Sequence, residues 1–254
     1  ILILFGLFIP KIKNRAIIPI IPILSFIVLL SYQDGMQTII NYHSYELIFM
    51  SIDKLSRLFS FIFILILFAI SIFSINQDNR KEIASAYIYV GASISVVLSG
   101  DLITLFIFWE VMAIASTIII WYGSPKSYAA GIRYLSIHLL GGTILLIGII
   151  GYVNTSGSIV FSFINPDSIY AYFILAGFLI NAGAPPFSSW IPDAYPSASW
   201  SGTVILSAFT TKTAVFVLIK GFAGYEILIY VGIFMIFYGI IYAILENDMR
   251  RILS

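Results

Sequence analysis

Glu110 and Lys212 are the residues of this sequence best placed to do chemistry, because each stands in the middle of an otherwise apolar run. Counted from Asp101, Glu110 is the tenth of about 22 residues in the stretch that includes Trp109-Glu110-Val111-Met112-Ala113. At a helical rise of about 1.5 Å per residue it lies roughly 13 to 15 Å along that stretch. Lys212 is the twelfth of about 22 residues counted from Ser201, with Thr210, Thr211 and Thr213 beside it and Ser207 five positions earlier. A charge at the centre of a bilayer about 30 Å thick is penalised by roughly 2.5 kcal/mol or more, so both side chains are expected to face protein or water. The carboxyl is expected to be neutral unless a cation or water compensates it. Proton transfer is the chemistry open to such a pair, with cation carriage as a second use of the carboxyl. The plainer alternatives are a hydrogen-bonded packing carboxyl and a lysine that snorkels to the surface.

A third feature lies between them. The stretch from Asn181 to Pro196 contains Pro185, Pro186, Pro192 and Pro196, and each interior proline removes a backbone donor and clashes with the preceding turn. The helix carrying Asn181 must break at Pro185-Pro186. Breaks at membrane depth occur where freed carbonyls face protein or a water-filled cavity, and in transporters they often mark the ion path; an ordinary helix end with a re-entrant turn reads equally well. His138, about a turn and a half beyond Arg133, is suited either to passing protons inward or to packing. Asp101 follows Ser99-Gly100 and is expected to cap a helix. Arg133 should reach an interface, and His43 and Glu46 fall in a connection and should be solvated.

Several chemistries are disfavoured. There is no cysteine, no phosphate-binding glycine loop, no dinucleotide fingerprint and no His/Glu pair at zinc spacing. The two histidines, His43 and His138, are too far apart in sequence for haem pairing. No cofactor and no metal site is expected, and the chain is not expected to be a redox enzyme in its own right. A net charge of +1 gives no case for nucleic acid.

The elements that must position these residues follow from composition. Hydrophobic residues make up 60% of the 254, charged residues 10%, and the mean hydropathy is +1.03, a balance suited to lipid as solvent. Apolar runs fall at 1–9, 16–32, 55–75, 83–99, 101–122, 131–152, 169–183, 201–222 and 226–245, most of them near the ~20 residues a spanning helix needs. The fold class is therefore an all-α, polytopic transmembrane bundle of about nine helices with the seventh broken, forming one membrane domain over 1–254. The first run is short and reads as a clipped helix, since Lys11, Lys13 and Arg15 follow it where a signal peptide would have its basic residues first. Alternating crossings put Lys11, Lys13, Arg15, Arg80, Lys81, Lys126, Arg133, Arg250 and Arg251 on one side, and Lys54, Arg57 and Lys220 on the other. That asymmetry predicts a cytoplasmic basic side. The longest connections, 33–54 and 153–168, are too short for separate domains.

With these residues in place, the sequence resembles the antiporter-like membrane subunits shared by respiratory complex I and the Mrp sodium/proton antiporters. The run Ser99-Gly100-Asp101 through Trp109-Glu110 looks like that family's fifth helix. Pro186-Phe187-Ser188-Ser189-Trp190-Ile191-Pro192-Asp193-Ala194-Tyr195, followed by Leu206 through Lys212, looks like its seventh-to-eighth helix region. The stretch from Leu245 through Asp248-Met249-Arg250-Arg251 is similar to its motif after the ninth helix. Tyr195, where the complex I type has a histidine, leans toward the D-like branch of the Mrp proteins. The resemblance runs from about residue 55 to the end and implies a longer bundle, so 1–254 is expected to be an N-terminal fragment.

The resemblance further implies that Glu110 and Lys212 are the family's mid-membrane glutamate and lysine, and that a second lysine should stand before the proline pair. This chain has Asn181 there, which removes the usual cationic partner of Glu110; an amide and a carboxyl are too few oxygens for a complete sodium site. The function implied is a subunit of a monovalent cation (Na+)/proton antiporter or a related proton-translocating complex, with Glu110, Asn181, His138 and Lys212 as the relay. The alternatives are a proton-pumping membrane subunit of an NADH:quinone oxidoreductase-like complex and a non-transporting structural subunit. The partners implied are other membrane subunits, protons, Na+ and the lipid of a bacterial inner membrane.

Overall fold

The computed structural model describes all residues except Lys13, Ser44, Asp78, Leu253 and Ser254. Among the described residues seven helical stretches are long and apolar enough to cross a membrane: Lys54–Phe73, Arg80–Leu98, Leu102–Trp121, Ser127–Ser156, Ile169–Ala194, Trp200–Gly221 and Ile227–Leu245. Two shorter apolar stretches, Leu2–Lys11 and Arg15–Ser31, precede them. These coincide with the nine apolar runs.

In chain order the elements are α1 (Leu2–Phe8), α2 (Ile20–Ser31), β1 (Gln37–Tyr42), β2 (Tyr45–Ser51), α3 (Lys54–Phe73), α4 (Arg80–Leu98), α5 (Leu102–Trp121), α6 (Ser127–Ser156), α7 (Ile169–Ala182), α8 (Trp190–Ala194), α9 (Trp200–Gly221), α10 (Glu226–Leu245) and α11 (Met249–Ile252). The connection expected over 33–54 carries a hairpin, β1–β2, that the sequence reading did not foresee. Its strands pair antiparallel from Gln37 opposite Ser51 to Tyr42 opposite Tyr45, with an irregularity between Thr38 and Ile39. Windows long enough to detect a spanning helix average over strands of six or seven residues, and the β-branched and aromatic residues of the two strands signal extended structure only at that shorter scale. The hairpin rests on the α4–α5 corner, where the Gly100 amide donates to the Ile48 carbonyl at 3.0 Å.

α4 is the most enclosed helix and α10 has no buried residue. α4 is rich in small residues, including Ala84, Ser85, Ala86, Gly91, Ala92 and Ser93, all buried. Lipid tails give no hydrophobic drive for helix association, so close backbone approach over such residues supplies the packing. Gly91 shows this directly, because a Cβ there would press on Leu2 and Ile3 of α1.

Apart from Glu110 and Lys212, the charged residues lie near helix ends or in connections. At one end Arg15 donates to the Ile75 carbonyl and Arg80 to the Ile12 carbonyl. Glu82 in the first turn of α4 meets Ser199 and Ser201 at the start of α9, and Arg250 reaches the Ala198 carbonyl at 2.9 Å. At the other end Arg57 pairs with Asp34 at 2.7 Å and Lys220 with Asp53 at 2.8 Å.

Asp53 also closes a capping box at the start of α3, accepting from the Ser56 amide while the Ser56 hydroxyl accepts from the Asp53 amide. Burial pushes its carboxyl up, but the Lys220 ammonium and the Ser56 hydrogen bonds outweigh burial and hold it below the usual carboxylate range. The folded state thus binds this proton less readily than the unfolded chain. Its contribution is complete above the ordinary carboxylate range and is lost as pH falls through the lowered native value. Asp53→Ala should reduce stability by about 1 kcal/mol, typical of a lost helix cap. In detergent, the variant's thermal midpoint should also fall less steeply than the wild type's on acidification; equal slopes would contradict this reading.

Candidate proton-transfer site

Glu110 is positioned by a helix whose start is firmly fixed. The Asp101 carboxylate accepts from the Thr104 amide at 2.7 Å and its hydroxyl at 2.8 Å, the capping expected from the sequence. It is fully buried, because residues 159–161 fold over the α5 start: Leu102 donates to the Ile159 carbonyl and Phe161 to the Gly100 carbonyl, both at 2.8 Å. About two turns further along α5, Trp109 packs at a tilt against Phe178 of α7 with ring centroids 5.0 Å apart. Glu110 then turns its carboxyl onto α6 at Gly142. A Cβ at Gly142 would overlap Glu110 Oε1, so only glycine leaves room for the carboxyl against the helix backbone. Oε1 is buried and has no hydrogen-bond partner among the described residues.

The preceding glycine does the same for α7. A Cβ placed at Gly141 would lie 3.3 Å from Asn181 Oδ1. Asn181 is completely buried, and neither Oδ1 nor Nδ2 has a partner among the described residues. The amide sits in the last turn of α7, which stops at Ala182 with Gly183 in the left-handed region at φ 79°. Beyond it come a cis Pro185-Pro186 peptide, a 3-10 turn at Phe187–Ser189 and the five-residue α8. The break predicted from the prolines is therefore present, directly beside Asn181. Arg133 of α6 holds the far side of it through two 2.8 Å bonds to Asp193.

One turn before Gly142 on the same helix is His138. It is buried, with Nδ1 3.0 Å from the Tyr134 carbonyl and Nε2 without a partner among the described residues. Its ring stacks on Tyr134 at 3.9 Å and meets the edge of Trp190 at 4.7 Å, while Trp190 Nε1 is tied to the Ile180 carbonyl at 3.2 Å. Tyr134 donates to Ser116 Oγ at 2.9 Å. Glu110 and Asn181 thus approach α6 at neighbouring glycines, and His138 lies about one turn before Gly142 on the same helix.

Three buried tyrosines extend the polar interior, and sequence reasoning missed them as site residues. Tyr89 of α4 bonds Thr210 Oγ1 at 2.6 Å, accepts from the Thr210 amide at 2.8 Å and approaches the Leu206 carbonyl at 3.4 Å. It therefore enters the backbone ladder of α9 between a carbonyl and an amide four residues apart, the pair a regular helix joins. Tyr134 and Tyr195 both pack edge-on against Trp190, with ring centroids 5.4 and 5.6 Å away. The Tyr195 hydroxyl has no hydrogen-bond partner among the described residues. A tyrosine in an apolar helix carries no charge to flag it; of the three only Tyr195 drew notice, through the histidine that the complex I type has at its position.

Lys212 is placed differently from the other three. It is exposed on α9, with Nζ donating to the Ser207 carbonyl at 2.6 Å. Thr210 and Thr213 are buried, and at about 100° per residue Lys212 is turned well away from both. Its place near the middle of α9 was legible in the sequence, but the helix face was not, because hydroxyls flank the lysine on several sides.

The profile of the NADH:quinone oxidoreductase/Mrp antiporter transmembrane family matches residues 99–254, which include Glu110, His138, Asn181, Tyr195 and Lys212. The chain is 28% identical over 207 residues to a Na(+)/H(+) antiporter subunit of Bacillus subtilis, covering 72% of this chain and 26% of that protein. It is 26% identical over 207 residues to the putative antiporter subunit mnhA2 of Staphylococcus haemolyticus, covering 74% and 26%. The chain thus spans about a quarter of the length of these relatives. Its fold matches a chain of the Mrp complex from Dietzia sp. with a TM-score of 0.82 at 20% identity, over 100% of this chain and 54% of that one. It matches a chain of respiratory complex I from Thermus thermophilus with a TM-score of 0.81 at 16% identity, over 99% and 59%.

Proposed function

The chain belongs to the membrane-subunit family shared by NADH:quinone oxidoreductase and the Mrp antiporters, and we propose that it conducts protons within a subunit of a monovalent cation/proton antiporter. The observation that carries this reading is the seating of Glu110 and Asn181 on the adjacent glycines Gly142 and Gly141, with Glu110 Oε1, both Asn181 amide atoms and His138 Nε2 lacking partners among the described residues. Buried polar groups are rarely left alone; ordered water is the usual partner, and water between a carboxyl, an amide and an imidazole makes a proton path. The proton moves between the Glu110 carboxyl and water, along that water past Asn181 to His138 Nε2, and on toward Tyr134 and the tyrosine cluster. Asn181 donates and accepts hydrogen bonds here and carries no charge.

Lys212 serves the same relay from the outward face of α9, handing its proton to groups on protein packed against that face. The carried cation is Na+, by likeness to the Bacillus subtilis relative, whose name states that exchange. The subunit works in a bacterial inner membrane beside other membrane subunits, with the basic end in the cytoplasm. A proton-pumping subunit of an NADH:quinone oxidoreductase-like complex is the second reading, favoured by the fold match to complex I; co-purification with flavin or iron-sulfur subunits would select it.

The test is pH-gradient-driven cation exchange in everted vesicles carrying the full-length subunit in its assembly. Glu110→Gln and Lys212→Ala should each lower exchange by about 100-fold or more, the scale of a lost proton-transfer group. Wild-type exchange in Glu110→Gln would remove the carboxyl from the mechanism.

A further inference from the structure

The basic end of the bundle holds a second buried carboxyl, which the relay above does not use. Glu82, in the first turn of α4, is 2% exposed. Its Oε1 accepts from the hydroxyls of Ser199 and Ser201, the latter at 3.0 Å, and its Oε2 accepts from Gln77 Nε2 at 2.8 Å. No ion pair to it occurs among the described residues. Arg80, two residues before it, is engaged on the Ile12 carbonyl, and Arg250, which reaches the start of α9, on the Ala198 carbonyl and Thr203 Oγ1. Lys81 is exposed.

We propose that Glu82 is the carboxyl through which protons pass between the basic end and the tyrosine cluster, a role that rests on the proton-conducting reading above. Two features carry it. The first is that the site satisfies either protonation state. An ionised Glu82 accepts from two hydroxyls and an amide, whereas a protonated one can donate to Ser199 Oγ. Ser199 and Ser201 also bond each other at 3.0 Å with either as donor, so the hydroxyls can reverse without moving heavy atoms. A purely structural carboxylate buried without a cation is costly, whereas a carboxyl that alternates between states needs this kind of setting.

The second feature is connection to the interior. Thr203 Oγ1 bonds both the Ser199 carbonyl at 3.0 Å and the Tyr195 carbonyl at 2.8 Å, fixing Tyr195 beside the Glu82 pocket. The Tyr195 ring in turn packs edge-on against Trp190 at 5.6 Å, as do Tyr134 at 5.4 Å and His138 at 4.7 Å, and Tyr134 stacks on His138. The proton leaves the Glu82 carboxyl for a water or hydroxyl on this inward side, and a proton from the basic end replaces it.

Glu82→Gln preserves shape and hydrogen bonding but cannot exchange a proton. In the full-length subunit within its assembly it should assemble normally, lower exchange about 100-fold and flatten the pH profile, while Glu82→Asp restores part of the rate. A merely structural role would leave the profile unchanged in any variant that assembles. Glu110→Gln is run in parallel. If it abolishes exchange while Glu82→Gln keeps the wild-type rate and profile, the Glu82 proposal fails alone; if both exchange normally, the underlying proton-conducting reading fails. If Glu82→Gln does not assemble, Ser201→Ala, which removes one donor, is read instead: an altered pH profile supports the proposal and an unaltered one overturns it.

Discussion

Replacing Gly142 with alanine is expected to abolish proton-coupled exchange, although the substitution adds a single methyl group. That methyl would overlap Glu110 Oε1, and a well-packed helix pair does not absorb such an overlap without displacing one partner. The movable partner is the carboxyl. It would rotate away from α6 and from the orphaned atoms of Asn181 and His138, so exchange should fall by about 100-fold or more. Steric displacement can be separated from damage to the α5–α6 contact by shortening the acid. Glu110→Asp retracts the carboxyl by one methylene, so the double variant Gly142→Ala/Glu110→Asp should exchange ions faster than Gly142→Ala alone. If the double variant is no better than the single one, Gly142 is not a seat for the carboxyl.

The second large effect is a change of opposite sign in stability and function at Asn181. This side chain is completely buried and neither amide atom has a protein partner among the described residues. Its hydrogen bonds are completed by water and not by protein, so an apolar side chain of the same size releases that water, whose immobilisation costs up to about 2 kcal/mol, and leaves no protein group unpaired. Asn181→Leu, of similar size, should therefore raise the thermal midpoint of the protein while lowering exchange by about 100-fold. A structural amide would behave in the reverse way, with stability falling and exchange tracking the amount of folded protein.

How far such a site can be read from sequence depends on what each residue announces. Glu110 was legible because a carboxylate in an apolar run has no ordinary structural explanation, and the helix break was legible because Pro185 and Pro186 are incompatible with a continuing helix. Asn181 drew notice only through the lysine that the family resemblance leads one to expect there. Gly141 and Gly142 were not legible, since glycine is common in membrane helices and its importance here is the space it leaves for side chains of two other helices. Tyr89 and Tyr134 were equally silent, being amphipathic residues that read as core, and Tyr195 was noticed only as the replacement of a family histidine. Lys212 shows the opposite limit: its depth followed from counting residues, whereas its outward direction depended on which face of α9 meets α4 and α7. The hairpin at 37–51 escaped because its strands are shorter than the window that finds spanning helices.

In the proposed mechanism Glu110 gains and loses a proton as the protein turns over, seated at Gly142 of α6 with Asn181 at the neighbouring glycine and His138 one turn away. Infrared difference spectroscopy on the full-length protein in its assembly, reconstituted in lipid and switched between low and high sodium at fixed pH, reads this directly. The account predicts a carboxylic-acid carbonyl band that appears or disappears with the switch and is absent from Glu110→Gln. A difference band that survives unchanged in Glu110→Gln, in a preparation that still exchanges ions, would contradict it.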